Sequence, residues 1–208
     1  MHWPVAFVSG LEGFPESDDD FLSLKEVPLK ETWEAMVELL DQNLVRHVGV
    51  SNFSQKKLKS LMDATDFVPE MNQIEGHPYL HQDELVDFCH NHGILITAYS
   101  PLGSQDRTEA MKAKNEPTLL HNDVVKQIAE NHNATPAQVL IKFHLERNVA
   151  TIPKSTNQSR IEENYKSDEV DLTEDDMKNL KSLDKHFRYV NGKFFETSDG
   201  KYSNIYDE

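Results

Sequence analysis

Short runs of apolar, often β-branched residues recur along the chain and alternate with longer segments in which apolar positions repeat every three to four residues. The short runs predict buried strands at 47–53, 69–76, 93–103 and 147–155. The longer segments predict helices at 30–43, 54–65, 81–92 and 135–147, the last beginning with Thr135 as N-cap before Pro136. Strands that alternate with helices indicate an α/β fold, with helices covering a parallel sheet.

Polar residues follow each of the first three complete strands, as they do at the functional face of barrel enzymes. The insertion at 104–133 predicts a flap and an extra helix. Two further helices are predicted at 157–166 and 172–186, and a tail runs from Phe187 to Glu208. Because no shift in composition marks a linker, we expect a single domain over 1–208.

Charge and composition indicate which partners and which cellular compartment the protein has. The 208 residues are 38% hydrophobic, and 36 acidic against 21 basic side chains give a formal charge of −15. Such a surface repels phosphate backbones and acidic lipids, so we expect neither a nucleic-acid nor a membrane partner. The single cysteine, Cys89, cannot form an internal disulfide and is typical of a reducing compartment, so we expect a cytoplasmic protein.

Five stretches together resemble the aldo-keto reductase family, and the similarity covers essentially the whole chain. They are "MHWP", "VGVSNF", "NQIEGHPYL", "AYSPLGS" and "IPKSTNQSRIEEN", in the order and spacing of the family. The resemblance implies an NADP(H)-dependent oxidoreductase that reduces aldehydes or ketones to alcohols on a (β/α)8 TIM barrel. It also implies a small-molecule carbonyl substrate and a monomer for the full-length enzyme.

The resemblance further implies that the chain covers an incomplete barrel. In the family "HWP" ends the fourth strand, so the chain would run from the end of strand 4 through strand 8, with an extra C-terminal helix and tail. At about 30 residues per βα unit, some 110 residues of an ordinary barrel would precede it. The family's catalytic Tyr, Lys and Asp belong to that part, which leaves only His2 and predicts that the chain alone is inactive.

Catalytic and nicotinamide contacts follow from the resemblance. His2 would orient the substrate carbonyl, and Trp3 would wall the substrate pocket; the alternative is that His2 is only a terminal residue. Polar and aromatic groups at strand ends would contact the nicotinamide: Ser51, Asn52 and Gln73 through the carboxamide, and Tyr99 through ring stacking. The structural alternative is that Ser51 and Asn52 cap the next helix and Tyr99 packs in the core.

The pyrophosphate and adenosine contacts also follow from the resemblance. A loop over the pyrophosphate and its ribose would comprise Ser100, Leu102, Ser104 and Asp106. The segment after the last strand would hold the adenosine 2′-phosphate through Lys154, Ser155, Thr156, Asn157 and Arg160, and the adenine through Glu163 and Asn164. Two cations beside a helix N-terminus suit a phosphate, although a solvated basic turn is the alternative.

Two histidine groups raise the question of a metal. His77 lies near His81, and His90 and His92 flank the helix end beside Cys89. Pro78 interrupts helical spacing in the first group, and neither group has the four-ligand pattern of a zinc site. We therefore predict no metal and assign both groups to structural or surface roles.

Two other interpretations remain open at the level of sequence. The chain can be a non-catalytic half-barrel that binds a nucleotide or a partner protein. Alternatively, Met1 is a wrongly assigned start and the complete protein is an ordinary reductase.

Overall fold

Short strands form a parallel sheet in the computed structural model, which describes residues 1–208 except for the side chain of Ala110. The strands described are β1 (Ala6–Phe7), β2 (Phe21–Leu22), β3 (Val50–Ser51), β4 (Met71–Glu75), β5 (Leu95–Tyr99) and β6 (Ala150–Thr151). β1 and β2 form an antiparallel pair, and the other four form one sheet in the order β3-β4-β5-β6. β3 runs parallel to β4 and β5 runs parallel to β6, which confirms an α/β fold with a parallel sheet.

Helices alternate with the strands of this sheet. They are α1 (Leu29–Asp41), α2 (Gln55–Ala64), α3 (Asp83–Asn91), α4 (Asp123–Asn131), α5 (Pro136–Leu145), α6 (Gln158–Tyr165) and α7 (Glu174–Lys181). Single 3-10 turns occur at Asp18–Asp20, Glu109–Met111, Lys166–Glu169 and Lys193–Phe195. None of the helices in the described residues combines the length and apolar character needed to cross a membrane.

Local capping chemistry explains why the helix predictions agree closely with the structure. Thr135 is the N-cap of α5: its hydroxyl accepts the amide N–H of Gln138, whose side chain accepts the N–H of Thr135 in return. The insertion at 104–133 contains the predicted extra helix, α4. The predicted strands contain β3 to β6 but were too long, since only Val50–Ser51 of 47–53 makes regular ladder bonds, and β1 and β2 were not predicted.

The chain folds into two compact units. Unit 1 comprises 1–73, 85–95 and 191–208, and unit 2 comprises 74–84 and 96–190. Strands β4 and β5 each contribute residues to both units. That residues 1–208 form a single domain, as their composition predicts, stays a prediction.

Unit 1 has an aromatic core at its tail and further buried apolar side chains elsewhere. Phe21, Phe195, Tyr202 and Ile205 are almost fully buried together, with Trp3 packed against them. Elsewhere in the unit, the side chains of Trp33, Phe53 and Leu58 have 1% exposure or less.

The core of unit 2 lies on α4 and α5. Leu119, Val125, Leu140, Phe143 and Leu180 are completely buried there. Burial of this kind stabilises a fold by about 1.5–3 kcal/mol per large apolar side chain, so α4 and α5 provide a firm support for the loops at their ends.

Candidate functional site

A cleft in unit 2 collects most of the residues predicted to bind the phosphates and the adenosine. Its volume is about 550 Å³, within the range of small-molecule and cofactor sites. The predicted residues that line it are Ser100, Leu102, Ser104, Asp106, Lys154, Ser155, Arg160, Glu163 and Asn164. Two separate segments of sequence, one after β5 and one after β6, therefore meet in one cavity.

The segment after β5 forms one wall of the cleft through an unusual backbone. Ser100 and Ser104 have left-handed φ angles of 54° and 44°, and Gly103 between them has a φ of 92°. The two serine hydroxyls lie 2.6 Å apart. Non-glycine residues in this region carry strain and cluster at ligand sites, so the loop conformation itself favours a binding role.

Arg107 holds this loop in place and was not foreseen from the sequence. Its Nε donates to the carbonyl of Ser104 at 3.0 Å, and its Nη2 pairs with the Glu116 carboxylate at 2.6 Å. Its Nη1 donates to the carbonyls of Met111 and Tyr189, and its side chain is only 9% exposed. Because its guanidinium has this many hydrogen-bond partners, Arg107 restricts the motion of the loop residues that line the cleft.

The segment after β6 forms the opposite wall. Asn157 is the N-cap of α6, where its side-chain oxygen accepts the amide N–H of Arg160 at 3.2 Å and the hydroxyl of Ser159. Among the described residues, the exposed Arg160 guanidinium makes no hydrogen bond or ion pair. A cation beside the first turn of a helix is well suited to an anion such as a phosphate.

One ion pair joins the two walls. The ammonium of Lys154 lies 2.8 Å from the carboxylate of Asp106, and both side chains are more than 60% exposed. The hydrogen bond and charge of Lys154 lower the pKa of Asp106. An exposed pair of this kind contributes little stability and separates easily, so a more highly charged anion can compete for Lys154.

Some lining residues were not predicted. They are Pro101, Gln105, Leu120, His121, Thr135, Pro136, Ala137, Ile152 and Pro153. The sequence predicts Thr135 only as the N-cap of a helix. An N-cap residue can also indicate a ligand site, since helix N-termini attract anions. Tyr99, Thr156 and Asn157, in contrast, are not part of the lining. Tyr99 ends β5 as predicted, half-buried, and its carbonyl accepts the amide N–H of Gly76.

Unit 1 brings together the predicted nicotinamide contacts of β3 and β4. The Ser51 hydroxyl donates to the carbonyl of Gln73 at 2.8 Å, and the Asn52 amide N–H donates to the same carbonyl at 2.9 Å. The side-chain amide of Asn52 donates to the carbonyl of His2 at 3.1 Å. The placement of Gln73 at a strand end was wrong, because β4 continues to Glu75 and Gln73 lies opposite Ser51 in the ladder.

His2 and Trp3 differ in their surroundings. The His2 side chain is exposed, whereas Trp3 is partly buried in an aromatic cluster. Its ring centroid lies 5.0 Å from Phe195, 5.6 Å from Phe194 and 6.1 Å from Tyr206, in edge-to-face arrangements. Residues from the tail therefore determine how much of the indole face remains accessible.

A buried carboxylate in unit 2 anchors residues 189 and 190, near the start of the tail. Glu75 is completely buried; its Oε1 accepts the Tyr189 amide N–H at 2.6 Å and lies 2.8 Å from His77 Nε2, and its Oε2 accepts the Val190 amide N–H. Burial by itself would raise the pKa of Glu75, but the bonds and charge of His77 and the two amide bonds lower it. The carboxylate is therefore ionised and holds residues 189–190 against β4.

Metal binding finds no support in the geometry of the histidines. Among residues 1–208 as described, no group of three or more His, Cys, Asp or Glu side chains is arranged to hold a metal ion. His77 is occupied by Glu75, and His92 lies 2.8 Å from the carbonyl of Phe88.

Comparison with known proteins shows the family of the chain. Residues 1–185 match the model of the aldo/keto reductase family. The chain is 41% identical to aldo/keto reductase slr0942 of Synechocystis sp., an alignment that covers 100% of this chain and 64% of that protein. It is 40% identical to aldo-keto reductase family 1 member A1 of Cricetulus griseus and of Homo sapiens, covering 91% of this chain and 58% of each relative. The chain thus spans about three fifths of the length of these relatives, and it belongs to the aldo/keto reductase family.

Proposed function

We propose that the chain binds NADP(H) and serves in the reduction of aldehydes or ketones to alcohols. The observation that carries the proposal is the cleft of unit 2, where Lys154 and Arg160 stand at one wall of a 550 Å³ cavity. In a chain with a formal charge of −15, two neighbouring cations at a cavity favour a strongly anionic ligand. The family supports a nicotinamide nucleotide as that ligand.

The adenosine end of the dinucleotide fits the wall after β6. Arg160 has a guanidinium without a protein partner in the described residues, and its planar fork matches the oxygens of a 2′-phosphate. Lys154 adds a second cation, with Ser155, Thr156 and Asn157 beside it. Glu163 and Asn164, one turn further along α6, are assigned to the adenine.

The pyrophosphate is assigned to the loop after β5. Ser100, Leu102, Ser104 and Asp106 line the cleft there, and Arg107 keeps their backbone in its strained form. In this assignment a 2′-phosphate competes with the Asp106 carboxylate for Lys154. The loop is thereby coupled to the occupancy of the adenosine site.

The nicotinamide end is assigned to Ser51, Asn52, Gln73 and Tyr99. When bound, NADPH supplies the hydride that reduces the carbonyl carbon. The imidazole of His2 donates a hydrogen bond to the carbonyl oxygen and orients it, and Trp3 walls the space that the substrate occupies. Of the family's four catalytic groups, the His alone is matched in these 208 residues, by His2. We therefore expect the 208-residue chain to bind the cofactor but not to turn over substrate.

We also propose that β3 to β6 are strands of the family's (β/α)8 barrel, corresponding to strands 5 to 8. The parallel ladders and the alternation with α2, α3 and α5 support this topology. A cytoplasmic location, expected from the single cysteine, and a monomeric state of the complete enzyme, implied by the family, remain proposals.

Cofactor titrations test the proposal. NADPH and NADH are titrated into the 208-residue chain, and fluorescence of the reduced nicotinamide reports binding. We expect Arg160→Met to weaken NADPH by roughly tenfold to hundredfold, which corresponds to about 1.5–3 kcal/mol for a charge-assisted contact, and to leave NADH unchanged. The matched control is Lys166→Met, which removes an exposed cation that does not line the cleft. It should change the affinity for neither NADPH nor NADH.

Equal affinity of the unmutated chain for NADPH and NADH would contradict the assignment of the 2′-phosphate. Turnover is tested separately by NADPH oxidation with 4-nitrobenzaldehyde. Rapid oxidation by the 208-residue chain would show that another group donates the proton. Binding without oxidation would agree with the proposal and with a nucleotide-binding role.

A further inference from the structure

The end of the tail in unit 1 is attached to helix α2 chiefly through Lys57 and the N-cap residue Ser54. The ammonium of Lys57 donates to the carbonyl of Ile205 at 2.8 Å and forms an ion pair with the carboxylate of Asp207. The hydroxyl of Ser54, the N-cap of α2, donates to the same carboxylate. These contacts will be called the tail anchor.

The tail anchor is better protected than an ordinary surface ion pair. The side chains of Lys57 and Asp207 are only 16% and 21% exposed. Burial by itself would raise the pKa of Asp207, but the bonds from Lys57 and Ser54 outweigh it and lower that pKa. Lys56 lies 3.6 Å from the same carboxylate but is 81% exposed, so it contributes much less.

The anchor acts on a residue that packs in the aromatic core of unit 1. Lys57 bonds to the carbonyl of Ile205, and the Ile205 side chain is 4% exposed in the same cluster as Phe195 and Tyr202. Trp3 packs against this cluster, with its ring 5.0 Å from that of Phe195. A displacement of Ile205 therefore changes the packing around the indole of Trp3.

A second attachment secures the middle of the tail without Lys57. The Tyr202 hydroxyl donates to the carbonyl of Leu22 at 2.7 Å and accepts the Ala6 amide N–H at 2.8 Å. The ammonium of Lys201 donates to the carbonyl of Asp18. Loss of the anchor should consequently release the last few residues while the rest of the tail stays folded.

We propose that Lys57 is a positioning residue for the carbonyl-substrate pocket: through Ile205 and Asp207 it holds the end of the tail so that Trp3 is enclosed. This inference rests on the proposed function in one respect, namely that Trp3 walls the pocket. Lys57 does not line the cleft of unit 2, so removing it should leave NADP(H) affinity unchanged.

Fluorine NMR on protein labelled with 5-fluorotryptophan tests the inference. The chain has two tryptophans: Trp3, and Trp33, which is fully buried and bonded to the carbonyl of Phe67. Trp33 therefore serves as an internal reference. In Lys57→Met we expect the solvent-isotope shift of the Trp3 resonance to rise at least twofold, while that of Trp33 stays constant.

Three further variants keep the test decisive. Lys57→Arg retains the cation and should restore the Trp3 signal, and Asp207→Asn should reproduce the loss in a milder form. Lys59→Met removes an exposed lysine of the same helix that does not contact the tail, and it should behave like the unmutated chain. If Lys57→Met does not fold, Asp207→Asn carries the test alone.

Substrate and cofactor binding complete the experiment. We expect the Kd of 4-nitrobenzaldehyde to rise at least threefold in Lys57→Met and the Kd of NADPH to change less than twofold. An unchanged Trp3 resonance, or an unchanged aldehyde Kd, would overturn the role of Lys57 even if NADPH binds normally. Failure of the unmutated chain to bind NADPH would instead refute the proposed function and leave the Trp3 result valid.

Discussion

Replacing Glu75 by glutamine should destabilise the protein severely although the two side chains have nearly the same shape. The carboxylate of Glu75 is completely buried and meets hydrogen-bond donors at both oxygens. Oε1 faces His77 Nε2 and the Tyr189 N–H, and Oε2 faces the Val190 N–H. A glutamine amide has one oxygen and one NH2 group, so in either orientation its NH2 group faces a backbone donor, the Tyr189 N–H or the Val190 N–H.

The magnitude follows from this geometry. One buried N–H left without an acceptor costs about 1–3 kcal/mol, and the remaining bonds lose their charge-assisted strength. We expect Glu75→Gln to lower the free energy of unfolding by about 2–4 kcal/mol. With a urea m-value of about 2 kcal/mol/M, the unfolding midpoint should fall by roughly 1–2 M.

Urea unfolding followed by far-UV circular dichroism measures this change. Glu70→Gln is the matched control, because the Glu70 side chain is 39% exposed and pairs with His47 at the surface. The control should cost less than about 1 kcal/mol. A Glu75→Gln variant within about 0.5 kcal/mol of the unmutated chain would refute the claim that this carboxylate anchors residues 189–190.

Three further outcomes are expected. Thr135→Ala should lower stability by about 1 kcal/mol in a thermal melt, because it removes the N-cap of α5 and its exchange with Gln138; no change would argue against the cap. Burial raises the pKa of the Cys89 thiol to about 12, so a thiol reagent at pH 8 should label Cys89 only after unfolding; rapid labelling of the folded chain would contradict this. Because the folded pKa of Glu75 lies below its ordinary 4.5, the stability it provides is present above pH 4.5 and is lost as pH falls through the folded pKa; Glu75→Gln should flatten that acid limb of a stability–pH curve.

Helices were predictable because their determinants are local. The apolar repeat at 30–43 became α1 at Leu29–Asp41, and Thr135 capped α5 as its position before Pro136 indicated. Strand lengths were less predictable, since an apolar run such as 147–155 shows burial but not which residues find a ladder partner. Only Ala150–Thr151 of that run lies in a strand, opposite residues of β5.

Features that depend on residues distant in the sequence escaped prediction. The sequence predicted no role for Glu75, because its donors at 189 and 190 lie more than a hundred positions away. The sequence also predicted no role for Arg107, although its side chain holds the loop that lines the cleft. The residues predicted for the adenosine side form one continuous segment of the family's motif, from Lys154 to Asn164, so the sequence alone could place several of them in one cleft. Their role toward the cofactor stays a prediction.

The most direct test of the central claim is to locate NADPH on the protein. Amide resonances of the 208-residue chain are assigned, and their shifts are followed as NADPH is added, with NADH as the comparison. We predict that the largest NADPH-specific shifts fall on Lys154–Asn164 and that both cofactors shift the loop from Ser100 to Asp106. Shifts confined to other segments, or identical shifts at Lys154–Asn164 for both cofactors, would contradict the account.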